Sequence, residues 1–64
     1  FLIGVEDGEI MVKHFSPDGE KLLQIFRGND VEKLSNEIKP FISDIGNALY
    51  VGRELKKAEQ SLES

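Results

Sequence analysis

The sequence predicts an α+β domain in which a three-stranded antiparallel meander is followed by two helices packed on one face of the sheet. Residues 1–27 form three short runs with a period of two, and two Asp-Gly turn signals separate these runs. Over residues 31–62, apolar residues instead recur at spacings of three and four, which is typical of helices. The predicted element order is therefore β-β-β-α-α.

The turns between the three strands have clear local signals. Asp7-Gly8 supplies the positive φ angles of a tight hairpin turn. In the second turn Pro17 presets φ, and Asp18-Gly19 gives another hairpin signal. Two consecutive hairpins place the three runs side by side as an antiparallel meander.

Both faces of this sheet carry apolar side chains. The middle strand places Ile10 and Val12 on one face and Met11 and Phe15 on the other. A three-stranded sheet covered by helices on one side usually has a polar outer face. We therefore expect the outer face to contact a second copy or another part of the protein. The first strand, residues 1–5, is an edge that can also pair.

The first helix has a start signal and a stop signal. Gly28 ends the sheet, and Asn29 with Glu32 three residues later matches a capping box. Pro40 should bend or end the helix near Lys39. The apolar positions with helical spacing are Val31, Leu34, Ile38 and Phe41 or Ile42.

The second helix begins after Ser43 or Asp44, either of which can cap it. Gly52 falls inside the predicted apolar stripe and costs about 1 kcal/mol relative to Ala. Close approach of another backbone is a common reason for such a Gly. The predicted core-facing stripe consists of Ile45, Ala48 or Leu49, Gly52, Leu55, Ala58 and Leu62.

Length and composition restrict the classes of function. Residues 1–64 suffice for one small domain, and a chain of this size buries only about 60% of its unfolded surface. The absence of Cys and the single His exclude disulfides and thiolate metal sites. Twelve acidic and eight basic side chains give a net charge of −4, which argues against nucleic-acid binding.

No apolar run approaches the roughly 20 residues of a membrane span, and we expect a cytoplasmic domain without a cofactor. Because the chain begins at Phe1 rather than Met, we expect a fragment or the ordered part of a longer chain. The six glycines match no phosphate-binding loop of the GxGxxG or GxxxxGK type. The sequence also contains no nucleophile–base pair or metal-ligand cluster, so we do not expect an independent enzyme.

Two features have both a structural and a functional interpretation. His14 is either an ordinary strand residue, partly packed or exposed, or a catalytic or ligand residue, since histidine is the side-chain type that can switch its charge near neutral pH. The second helix carries four residues three and four apart on one face, which is either solvated or a recognition surface. Tyr and Arg are enriched at interface hot spots. These four residues are Tyr50, Arg53, Glu54 and Lys57.

The segment ALYVGRELKKAEQSL, residues 48–62, resembles the AAYLGRELAKAExAL signature of a small domain of unknown function. That domain occurs at the C-terminus of archaeal dihydropteroate-synthase-related proteins. It also occurs with domains like those of tetrahydromethanopterin S-methyltransferase, and in some bacterial thymidylate-synthase-like proteins. A weaker upstream pattern, xHYxxxGxLxxxIxG, is represented by His14, Phe15, Gly19, Leu22, Ile25 and Gly28.

The chain also departs from this pattern. The similar domains have Asp-His-Ala-Ala before the Tyr, whereas this chain has Gly46, Asn47, Ala48 and Leu49. If that His belongs to a site, this protein lacks it. The Tyr and Asp that follow the helix in the similar domains are also missing.

The resemblance implies an archaeal protein, with a methanogen as the expected source, near pterin or corrinoid one-carbon metabolism. Two functions remain open. The first is a non-catalytic accessory module that docks on a partner domain or a second copy through the outer sheet face and the second helix. The second is a pterin- or corrinoid-type ligand module, in which Arg53 holds an anionic tail. The candidate interaction residues are Tyr50, Gly52, Arg53, Glu54, Lys57 and His14.

Overall fold

The computed structural model describes residues 1–63 and shows a three-stranded sheet followed by two helices, which confirms the predicted fold class. The sheet order is β1-β2-β3, and both strand pairs are antiparallel. The elements are strands β1 (Leu2–Glu6), β2 (Glu9–Phe15) and β3 (Leu22–Gly28), helix α1 (Val31–Ile38), a 3-10 turn (Lys39–Phe41) and helix α2 (Ile45–Glu63).

The two hairpins differ in construction. Asp7 and Gly8 both have positive φ angles, 53° and 77°, as a tight two-residue hairpin turn requires. The second hairpin is wider: the Gly19 amide donates to the Ser16 carbonyl at 2.8 Å, with Pro17 inside the turn. The register of β2 and β3 also shifts at the base of this hairpin, so β3 contains an irregularity that the sequence pattern does not reveal.

The core lies between one face of the sheet and both helices. Val12 is opposite Ile3 in β1 and Phe26 in β3, and cross-strand partners of this kind share a face. α1 lies over β3, whereas α2 lies over β1 and β2. The buried core consists of Ile10, Val12, Phe26, Leu34, Ile38, Val51, Leu55 and Ala58.

Helix α1 begins one residue later than predicted. The Asp30 carboxylate, not Asn29, caps the helix by accepting from the Glu32 and Lys33 amides at 3.0 and 3.2 Å. The predicted capping box at Asn29 is therefore wrong, because a carboxylate at the next position supplies the same bonds with a charge that suits the helix N-terminus. The predicted end near Lys39 is confirmed, and Pro40 lies in the 3-10 turn that follows.

The core-facing side of α2 differs from the predicted stripe. Ile45 and Leu49 are 79% and 64% exposed, whereas Val51 is buried, and no atom from outside the adjoining helix backbone lies within 4 Å of the place that a Gly52 Cβ would occupy. Positions three and four before Leu55 both lie beside it on a helix. The helix turns Val51 inward because Val buries more apolar surface than Gly. Within residues 1–63, no helix is both long and apolar enough to cross a membrane.

Candidate functional site

Four of the candidate residues lie on one exposed side of α2, which we call the motif face (Tyr50, Arg53, Glu54 and Lys57). The Lys57 ammonium lies 3.4 Å from the Glu54 carboxylate, across one helical turn. Such a solvated ion pair contributes little to stability. Arg53 is exposed and forms no ion pair with another residue in the range 1–63. Its guanidinium is therefore available to a partner.

Gly52 lies beside the motif face, in line with Ile45 and Leu49. These three residues, spaced by four and three positions, form what we call the α2 stripe. Ile45 also borders a cavity of about 320 Å³ that Ile42 and Ala48 line. The N-terminal half of α2 thus presents an apolar surface that the domain itself leaves uncovered.

The outer face of the sheet is also partly apolar. Leu2 lies opposite Lys13, which in turn lies opposite Ile25, so these three residues form one row across the sheet. Leu2 and Ile25 are exposed. Because Gly4 has no side chain, a shallow cavity of about 230 Å³ opens beside Leu2 and Lys13. Apolar residues therefore occupy both faces of the sheet, as expected; on the outer face Leu2 and Ile25 are exposed, whereas Met11 and Phe15 are partly buried.

His14 belongs to a separate aromatic cluster at one end of the sheet. Its imidazole lies parallel to the Phe1 ring, with centroids 4.5 Å apart and planes 10° apart. The Phe41 ring is tilted against it, with centroids 5.4 Å apart. Phe41 continues this cluster to Phe26 in the core, 5.8 Å away between centroids. The His14 ring therefore contacts Phe1, which precedes β1, and Phe41 in the 3-10 turn.

A cavity of about 500 Å³ opens over this cluster, and we call it the His14 cleft. It lies where the end of the sheet, the 3-10 turn and the first turn of α2 meet. Its lining combines apolar and polar side chains in similar measure and contains no Lys or Arg. The lining residues are Phe1, His14, Phe15, Ser16, Pro17, Leu23, Phe41, Ser43 and Asn47.

The polar wall of the cleft is positioned by the cap of α2. Asp44 accepts from the Asn47 backbone amide at 2.7 Å and from Asn47 Nδ2 at 3.0 Å. These bonds occupy the amide nitrogen of the side chain and leave its Oδ1 without a partner among residues 1–63. The sequence allowed either Ser43 or Asp44 as the cap of α2, and the structure shows that Asp44 is the cap.

Sequence reasoning singled out His14 but missed most of the cleft. Phe1, Phe41 and Asn47 come from distant parts of the chain, and their approach depends on how the helices pack. One signal was present: Asn47 occupies the position where the similar domains have His. The structure brings this position and His14 to the same cavity. Within residues 1–63, no group of three or more potential metal ligands is close enough to hold a metal ion.

The family model described as PterinBD-DUF4346 matches residues 1–64. The chain belongs to this family. The PterinBD-DUF4346 name marks a domain of unknown function that is associated with pterin binding, which agrees with the pterin association implied by the sequence. No curated protein and no solved structure matches the chain significantly.

Proposed function

We propose that this PterinBD-DUF4346 domain is a non-catalytic docking module, which binds a partner domain through the α2 stripe and the outer face of the sheet. The observation that carries the proposal is the exposure of Ile45 and Leu49, at 79% and 64%, on a helix whose opposite side is in the core. Single exposed apolar residues are common. Apolar side chains that continue along a helix face and recur on the outer sheet are typical of interaction surfaces.

The motif face supplies the polar border of this interface. Arg53 and the Glu54–Lys57 pair lie next to the stripe, and polar residues usually surround an apolar interface centre. Tyr50 is exposed and adds an aromatic side chain of the kind enriched at hot spots. Gly52 would let a partner backbone approach α2 closely, because no side chain stands in the way.

The partner we favour is a pterin-binding domain. The family name associates this domain with pterin binding. If the two domains belong to one polypeptide or one complex, their high effective concentration allows a small interface to suffice. The wider setting we propose is an archaeal cytoplasmic protein, from a methanogen, in pterin or corrinoid one-carbon metabolism.

The test combines the 64-residue chain with a separately purified pterin-binding domain, and measures binding by calorimetry. We expect Leu49→Glu in the stripe to weaken binding at least tenfold, which corresponds to about 1.4 kcal/mol. Asn36→Glu, which adds the same charge on an exposed position of α1, is the matched control and should leave binding unchanged.

The alternative partner is a second copy of the chain. Light scattering of the 64-residue chain alone, over a roughly hundredfold range of concentration, tests this alternative. A mass that rises to that of a dimer would replace the pterin-binding domain with a second copy as the partner. A monomer at every concentration, together with no binding of the pterin-binding domain, would contradict the docking proposal.

A further inference from the structure

We propose that the His14 cleft binds a neutral, planar, nitrogen-containing aromatic ring of about the size of pterin. None of the residues of the α2 stripe lines this cleft, so either role can hold without the other. The cleft measures about 500 Å³, within the range of roughly 300–1,000 Å³ typical of small-molecule sites. It is also concave, unlike the motif face.

The walls of the cleft suit a flat ring. The His14 imidazole and the Phe1 ring form one stacked pair, and Phe41 is tilted toward His14 with centroids 5.4 Å apart. Aromatic rings favour offset-stacked or edge-to-face contacts with other rings. His14 and Phe41 are only partly covered by the chain, so ring surface remains for a ligand.

The polar side of the cleft can recognise hydrogen-bonding groups on the edge of such a ring. The His14 imidazole and the Ser43 hydroxyl have no hydrogen-bond partner among residues 1–63. Asn47 Oδ1 is also without one, although Asp44 fixes the orientation of the amide. In contrast, the Ser16 hydroxyl is occupied by Asp18 and the Lys21 amide. A side chain already held in place loses little entropy when a ligand binds.

Charge narrows the class of ligand. The lining contains no Lys or Arg, and the whole chain carries a net charge of −4. A phosphate-bearing nucleotide would therefore place its charge in the cleft without a compensating Lys or Arg side chain. A purely apolar ring would leave the polar groups of His14, Ser43 and Asn47 unpaired. A neutral heteroaromatic ring satisfies both conditions.

The experiment titrates the isotope-labelled 64-residue chain with pterin, naphthalene and adenosine monophosphate, and follows amide and imidazole signals by NMR. We expect pterin to give saturable shifts at His14, Ser43 and Asn47. Naphthalene, which has no polar atom, and the charged nucleotide should bind at least tenfold more weakly. No saturable shift with pterin up to its solubility limit, or shifts confined to residues outside the cleft, would overturn the proposal.

Two variants locate the site independently of each other. Ser43→Trp fills the cleft from an exposed linker and should abolish the pterin shifts, whereas Asn47→Leu removes a polar group and should weaken binding about tenfold. Gln60→Ala, at an exposed position near the other end of α2, is the control and should change nothing. Amide signal dispersion verifies folding, and Asn47→Leu keeps the test valid if Ser43→Trp unfolds the chain. Equal pterin affinity in folded Asn47→Leu and in the unaltered chain would overturn the proposed recognition.

Discussion

Leu49 and Leu55 lie on the same helix, yet Leu49 is 64% exposed and Leu55 only 1%. We predict that Leu55→Ala lowers the free energy of unfolding by about 2–5 kcal/mol, because it leaves a cavity in the core. Leu49→Ala should change it by no more than about 0.5 kcal/mol. Urea denaturation followed by circular dichroism measures both values. Equal losses at the two positions would mean that α2 packs with a different side inward.

The space around Gly52 predicts a substitution that stabilises the fold, in contrast to Leu55→Ala. Because no atom from outside the adjoining helix backbone lies within 4 Å of the position of its missing Cβ, Ala fits without a clash. Gly52→Ala should therefore raise the free energy of unfolding by about 0.5–1 kcal/mol, measured by the same denaturation. Gly19→Ala is the contrasting variant, since Gly19 has a φ of +77° that Ala adopts poorly, and it should be destabilising. If Gly52→Ala were destabilising instead, the result would support the close approach of another backbone at Gly52 that the sequence predicts.

The cap of α1 can be tested with neighbouring residues. Asp30→Ala removes the acceptor for the Glu32 and Lys33 amides and should cost about 1 kcal/mol of stability. Asn29→Ala, which the capping-box pattern would make equally costly, should change stability by less than about 0.5 kcal/mol. Thermal unfolding curves of both variants decide between the two positions. A larger loss for Asn29→Ala would contradict the observed cap.

The sequence predicted the strands, the helices and their order because their signals are local. Asp7-Gly8, Pro17 and Pro40 act through their own backbone geometry, and each marks a boundary that the structure contains. The rotation of α2 was not predictable in this way. Val51 and Gly52 both have helical spacing to Leu55, and only the sheet beneath the helix decides which of them turns inward.

The candidate surfaces show the same division between local and tertiary information. Glu54 and Lys57 are three residues apart on α2, and this spacing is sufficient to place them together. The structure shows them paired. The proximity of His14, Phe41 and Asn47 has no counterpart in any local pattern. It arises because β2, the 3-10 turn and the start of α2 meet at one end of the sheet.

The second hairpin gives a pH-dependent prediction. The Ser16 hydroxyl and the Glu20 amide donate to the Asp18 carboxylate and lower its pKa below the ordinary value, with the Ser16 bond as the larger cause. A lowered folded-state pKa stabilises the fold above the pKa of the unfolded chain. This stabilisation is lost as the pH falls through the folded-state pKa of Asp18. The turn should therefore loosen in acid.

Ser16→Ala separates this effect from general acid unfolding. The variant should raise the pKa of Asp18 toward its ordinary value, because it removes the hydrogen bond that lowers this pKa most. The hydrogen bond from the Glu20 amide, at 3.0 Å, remains. Carboxyl carbon shifts followed by NMR during a pH titration measure this pKa directly. Ser35→Ala removes a hydroxyl from α1, away from the turn, and should leave the Asp18 titration unchanged. An identical Asp18 pKa in Ser16→Ala and in the unaltered chain would show that the hydroxyl does not bond the carboxylate in solution.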